Sequence, residues 1–268
     1  LIAGRKAQVY VSGVATAFVG EATTNVAADN KTYQVTDTVK QVFDRSNTVR
    51  VHVLGTNGTA TTGTTTTTVK LTTHGLVNGD LIVNTTRGNA ARIITYVDVD
   101  TFTVTAITSQ ASGDTLQRWP SAATTLYALN RLKGQVVFAS ATSRTVRISG
   151  DYLPMSVAAE AKGYSYSLKA NNADNTVFGA VWVSRAQILK DISGKLEAFY
   201  LNSYFVDALA AGVPVVIELW TNSALSSDIK IWGLIASEEI SAAVDGLVEE
   251  GVDFEGAPDI DGRSVSIG

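Results

Sequence analysis

The 268-residue chain contains no cysteine. That removes disulfide scaffolds, thiol nucleophiles and cysteine-ligated zinc, and it suits a reducing compartment. Histidine is nearly absent as well. His52 and His74 stand far apart, whereas a metal site draws three or four ligands at recognisable spacing, so neither a metal nor any other cofactor is expected. Charged residues make up 17%, against roughly 25% in ordinary soluble domains. The net charge of −4 leaves no basic face for a sequence-reading nucleic-acid binder. Long apolar runs are missing too. "ALAAGVPVVI" is ten residues long and broken by Gly212 and Pro214, well short of the ~20 residues a spanning helix needs, so no membrane insertion is expected. No G-x-S-x-G elbow, Walker loop or G-x-G-x-x-G appears. The acid pairs Glu238–Glu239 and Glu249–Glu250 come nearest to a glycosidase dyad, but neighbours on a strand point to opposite faces. The expectation is a protein that is not an enzyme.

What is present is β pattern. Hydrophobic residues reach 45%, enough for a full core, and sparse charge in a β-rich chain suits a surface covered by other subunits. Period-two alternation marks "TVRVHV", with Val49, Val51 and Val53 against Arg50 and His52, and "GYSYSLKA", with Tyr164, Tyr166 and Leu168 against Ser165, Ser167 and Lys169. "GQVVFASA" and "RTVRISG" read as two more strands, and "VPVVIELW" with "IKIWGLIA" as a hairpin around "TNSALSSD". "NSYFVDALAAG" predicts a helix capped at Asn202 or Ser203 and ended by Gly212. "SRAQILKD" predicts a second helix or a turn.

Threonine crowds the chain up to Thr145; beyond it only Thr176 and Thr221 remain. Within "TNGTATTGTTTTTVKLTTHGLVNGD", Thr56–Asp80, proline is absent, which argues against a stiff stalk. Threonine is β-branched and favours strands. Thr56–Gly63 therefore reads as a crossing between domains, Thr64 onward as a first strand, and "HGLVNGD" as its turn. His74 and Asp80 are assigned to that turn rather than to a ligand site. "GDLIVNTT", "ARIITYVDV" and "TFTVTAI" supply further strands.

The acidic end is the most informative region. From Ser237 to Asp261 there are nine acidic residues, Glu238 to Asp261, and no Lys or Arg. In "LVEEGVDFE", Val248, Val252 and Phe254 face one way together with Glu250, while Glu249, Asp253 and Glu255 face the other. This end, "ASEEISAAVDGLVEEGVDFEGAPDIDG", resembles the C-terminal segment of bacteriophage tail tube proteins. "AFVGEATTNVAADNKTYQVTDTVKQVFDRSNTVRVHV" is similar to the start of that family. "TLYALNRLKGQVVF", "VRISGDYLP" and "AEAKGYSYSL" are similar to its next block, and "GKLEAFYLNSYFVDALAAGVPVVIELW" to the strand, helix and strand that follow. The blocks cover most of 1–55 and 119–268.

The resemblance implies a mainly β, tail-tube-like sandwich or half-barrel with hairpins and one or two helices. Residues 1–55 and 119–268 would form it, and 56–118 would be an inserted small all-β domain that resembles modules of phage tail and fibre proteins, opening a hairpin between "TVRVHVLG" and "TLYALNRLKG". It further implies a virion protein, assembled in the host cytoplasm, that forms stacked rings, typically hexameric, around a lumen that carries DNA. Its partners would be itself, a tape measure protein, tail terminator and distal tail proteins, and DNA passing without sequence recognition. Glu249, Asp253 and Glu255 become candidate lumen-lining residues, since a lumen that repels phosphate lets DNA slide. An insert on the outer wall would collide with a contractile sheath, which favours a long non-contractile tail. The alternative is a β-sandwich carbohydrate-binding or adhesion module.

Overall fold

The computed structural model describes residues 8–141, 143–174, 185–199, 203–220, 229–242 and 248–267. They are mainly β, with one α-helix among the described residues, and they form two compact units, 1–13 with 155–268 and 14–154. The first unit opens with β1 (Gln8–Ser12). The second contains β2 (Thr16–Asn25), β3 (Thr32–Val35), β4 (Arg50–Val53), β5 (Asn57–Thr59), β6 (Thr68–Lys70), β7 (Leu81–Asn84) and β8 (Arg92–Asp98). It continues with β9 (Thr101–Val104), β10 (Thr115–Trp119), β11 (Tyr127–Asn130), β12 (Gln135–Phe138) and β13 (Val146–Tyr152).

These strands make two six-stranded sheets, ordered β11-β12-β3-β2-β13-β4 and β5-β10-β7-β8-β9-β6. Each has its own core: Phe18, Tyr33, Phe43, Val51 and Ile148 in the first, Val69, Ile82, Ile94, Phe102 and Leu116 in the second. The expected inserted segment, 56–118, supplies nearly all of the second sheet. The chain leaves and re-enters along antiparallel neighbours: Gly55 N–H donates to Arg118 O (2.8 Å), Val53 N–H to Pro120 O (3.1 Å) and Ala122 N–H to Val51 O (2.8 Å). Trp119 packs with Leu81, Val83 and Ala91 under the guanidinium of Arg147, 5.0 Å from its ring centroid.

Three local expectations change. First, Asn57–Thr59 already pairs with β10, so Thr56–Gly63 is more than a crossing. Second, the next strand starts only at Thr68, because threonine hydroxyls compete with the ladder for backbone donors: Thr68 N–H donates to Thr65 Oγ1 (3.0 Å) and Lys70 N–H to Thr64 Oγ1 (3.1 Å). Third, β4 and β11 lie at opposite edges of their sheet, so no hairpin between them was opened; β11 instead forms a hairpin with β12.

The first unit resumes with β14 (Met155–Asp174), β15 (Arg185–Phe199), α1 (Tyr204–Ala211), β16 (Val215–Trp220), β17 (Ile229–Ala242), β18 (Val248–Gly256) and β19 (Val265–Ile267). The helix falls where its sequence predicts. Ser203 Oγ donates to the Asp207 carboxylate (2.8 Å) instead of accepting a backbone N–H, and the Gly212 N–H closes the last turn on Ala208 O (3.0 Å). "SRAQILKD" is not helical. From Arg185 on it belongs to β15, in register with β14 from Asp174↔Arg185 to Lys169↔Asp191, and this long ladder overrides the helix-favouring Ala, Gln, Leu and Lys. β16 and β17 form the expected hairpin; its turn, 221–228, lies outside the described residues.

The pairings of this unit close on themselves, β16-β1-β14-β15-β18-β17 and back to β16, with β19 beside the start of β17. Val9, Val11, Leu196, Phe205, Ile217, Ile231, Val252 and Phe254 fill the core.

Candidate functional site

Among the described residues, the closed ring of strands holds at one end. β1 pairs with β14 no further than Glu160, and β16 pairs with β17 no further than Gly233. Beyond those points β14, β15, β18 and β17 continue as a four-stranded antiparallel sheet. Among the described residues, nothing pairs with the outer flank of β14 after Gly163 or of β17 after Gly233. Among the described residues, β14 and β17 are therefore the outer strands of this sheet, each unpaired on its far flank, and they run in opposite directions.

Its two faces differ. Directly paired residues share a face, and two rows cross the sheet: Ser165–Lys195–Asp253–Ser237 and Gly163–Glu197–Gly251–Glu239. This face also carries Ser167, Ser193 and Glu255. The opposite face carries Tyr164, Leu196, Val252, Phe254 and Ile235. Glu249, Asp253 and Glu255 are exposed, while Glu250, Val252 and Phe254 are buried, so the alternation legible in "LVEEGVDFE" is the alternation of the strand.

The structure adds lysines that the acidic run concealed. Lys195 lies opposite Asp253, and Lys162 forms an ion pair with Glu249. Ser237 Oγ donates to Asp253 (2.8 Å). The face is therefore polar and net acidic rather than uniformly acidic. Exposed ion pairs of this kind contribute only about 0–1 kcal/mol, so they tune the surface potential more than they stabilise the sheet.

A second pair of acids was missed. Glu238 and Glu239, like Glu249 and Glu250, do point apart as strand neighbours. Across the β17–β18 ladder, however, Glu238 sits opposite Val252 and Glu250 opposite Ile240, which makes the two glutamates diagonal neighbours on the apolar face. Burial, and then the neighbouring Glu238 carboxyl, push Glu250 up to about 8. A bulge between Ile235 and Ser237 sets this register; hydrophobic periodicity within either strand carries no signal of it.

Neither histidine is poised for chemistry. His74 is buried between Phe102 and Tyr96; its Nδ1 accepts the Leu76 N–H (3.0 Å) and its Nε2 lies 2.8 Å from Asp98 O. Asp80 closes the same turn by accepting the N–H groups of Val77 (2.9 Å) and Ser121 (2.8 Å), and Gly79 takes φ +91° there, a conformation that favours glycine. His52 Nδ1 lies 3.3 Å from Ser121 Oγ. By residue type, Ser121, His52 and Asp80 suggest a hydrolytic triad. Yet His52 is fully buried, burial lowers it to about 4, and Asp80 holds backbone donors rather than the imidazole.

Among the described residues, no group of three or more His, Asp or Glu is arranged to hold a metal ion, and no helix is long and apolar enough to cross a membrane. Neither a protein-family model nor a curated protein matches the chain.

Proposed function

We propose that this chain is a structural subunit that joins head to tail with copies of itself into closed rings, stacked as a bacteriophage tail tube through which DNA passes. The observation that carries the reading is the pair of outer strands, β14 and β17, that have no further partner among the described residues on one four-stranded sheet. Long open edges are templates for another strand. Because β14 and β17 run in opposite directions, seating one copy's β17 against the next copy's β14 continues the antiparallel alternation. Such a contact is heterologous, and it closes into a ring when the rotation per copy permits.

The magnitudes agree with a channel. Six copies, the number usual in the resembled family, would set about 24 strands side by side. At about 4.8 Å per strand that gives a backbone radius of roughly 18 Å before tilt widens it, and barrels of about 16–18 strands already leave an aqueous channel. The polar face would line the lumen. There Glu249, Asp253, Glu255, Glu197, Glu239 and Asp191 outnumber Lys162, Lys195 and Lys169, so sliding phosphates meet net repulsion and gain little salt-dependent grip. The apolar face would turn toward the core of Leu196, Val252 and Phe254. Residues 56–118 would decorate the outer wall of a non-contractile tail, and tape measure, terminator and distal tail proteins would cap or fill the tube. This reading contains no catalytic step.

Negative-stain microscopy and light scattering of the concentrated protein test it. Rings or tubes are expected. A small, non-polymerising oligomer that binds a glycan array would overturn it in favour of the adhesion module.

A further inference from the structure

We propose that Glu238 and Glu250 hold one proton between them beside the β17 edge, and that this proton controls whether the edge accepts a second copy of the chain. The proposal rests on the ring reading and adds its regulation.

Glu250 is 3% exposed. Glu238 Oε1 and Oε2 and Glu250 Oε1 are buried without a hydrogen-bond partner. Two carboxylates have no hydrogen to offer each other, and two buried like charges are strongly unfavourable; one shared proton supplies the missing donor and removes one charge. The raised affinity of Glu250 for its proton, caused by burial and by Glu238, agrees with this geometry.

Position makes the pair relevant to assembly. Glu238 stands on β17 past Gly233, where the strand has no neighbour on its outer flank among the described residues. A strand arriving there would cover the pair further. On the matching face of β14 the arriving copy presents Tyr164, Tyr166 and Leu168 and no ammonium between them; Lys190 shares that face one strand further in, on β15 opposite Ala170. Lys169 lies on the other face, opposite Asp191. Glu250 itself lines a hollow whose other charged groups are Lys162, Lys195, Glu197, Glu239 and Glu249. Of these, Lys162 is engaged by Glu249 and Lys195 faces Asp253. The helix α1, which packs on β17, carries Asp207, which accepts from Ser203. Glu238 is the one charged group that acts appreciably on Glu250.

The sign follows. Below about pH 8 the free subunit already carries the proton, so assembly is insensitive to pH. Above it the free subunit loses the proton and must regain it as the seam closes, so the association constant falls by about tenfold per pH unit for each seam. The experiment measures assembly of the full chain by light scattering and microscopy from about pH 6 to pH 10, for wild type, Glu250→Gln and Glu238→Gln, with circular dichroism as the check on folding. Wild type is expected to lose assembly above about pH 8, and both glutamine variants to keep it there; either variant suffices if the other misfolds. Assembly with the same pH profile in wild type and variants would overturn the proposal and leave the ring reading intact. Absence of rings in every protein at every pH would overturn the ring reading, and the proposal with it.

Discussion

Gly194 on β15 lies directly opposite Phe254 on β18, and a Cβ at that glycine would come within 2.4 Å of Phe254 Cζ and 2.6 Å of Ser165 O. The phenyl ring thus fills the space a side chain would occupy, at the place where the closed strands give way to the open sheet. Gly194→Ala forces either the ring or β14 to shift. Overpacking of this kind costs about 1–3 kcal/mol, and we expect a loss of that size in the urea midpoint. An unchanged midpoint would show that Phe254 has room to move.

The second unit has its own acid-sensitive fastening. Asp114 is buried and accepts from Arg87 Nε (3.0 Å), Asn84 Nδ2 (2.8 Å) and the Ala111 N–H (3.0 Å). Arg87 above all holds its carboxyl down at about 2, from an ordinary 3.8. A depressed carboxylate stabilises the fold fully above its unfolded value and loses that contribution as pH falls through the folded value. Wild type should therefore lose stability between about pH 4 and pH 2, by about 1 kcal/mol once screening at the open Arg87 is allowed for. Asp114→Asn should be less stable at neutral pH and flatter across that window, as read by thermal melts.

The polar face predicts a charge effect. Asp253→Lys and Glu255→Lys, alone and together, should leave rings able to form, because both side chains are exposed. They should raise the affinity of assembled tubes for DNA, with a salt slope that steepens by about 0.9 for each additional phosphate neutralised. DNA retention unchanged in both variants would remove these residues from the lumen.

How much of this was legible follows from the range of the interactions. The faces of β18 were readable because alternation is a property of consecutive residues. The helix at Tyr204–Ala211 was readable because its stop at Gly212 is local. The strand at Arg185–Asp191 was not, since its partner lies in Lys169–Asp174 and local propensity favours a helix. The Glu238–Glu250 pair was hidden for a related reason: a single bulge sets which acids meet. The threonine run deceived in the other direction. Its β propensity is genuine, but Thr64 and Thr65 use their hydroxyls to bind the backbone, and the strand waits until Thr68.

The stem formed by Val51–Gly55 and Arg118–Ala122 allows the proposed insertion of residues 56–118 to be tested by deletion. Joining Thr56 to Arg118 through a two-residue turn keeps the Gly55–Arg118 and Val53–Pro120 hydrogen bonds but strips Leu81, Val83 and Ala91 from Trp119. A less stable subunit that still polymerises is expected in sedimentation and microscopy. Loss of polymerisation would contradict the proposal that the segment decorates the outer wall.

The absence of native cysteine allows the edge-to-edge contact to be tested directly. One cysteine is placed on β14, as Ser165→Cys or Ser167→Cys, and one on β17, as Ser237→Cys or Ser241→Cys. The four double variants sample the register, because a disulfide closes only when the Cα atoms lie about 4.4–6.8 Å apart. Head-to-tail pairing of β14 with β17 predicts that at least one double variant, oxidised after assembly, yields a ladder of covalent multimers, whereas mixtures of the matching single variants stop at dimers and each single variant alone stays monomeric. Monomers from all four double variants under conditions where rings are seen, or dimers from a single variant alone, would contradict the account.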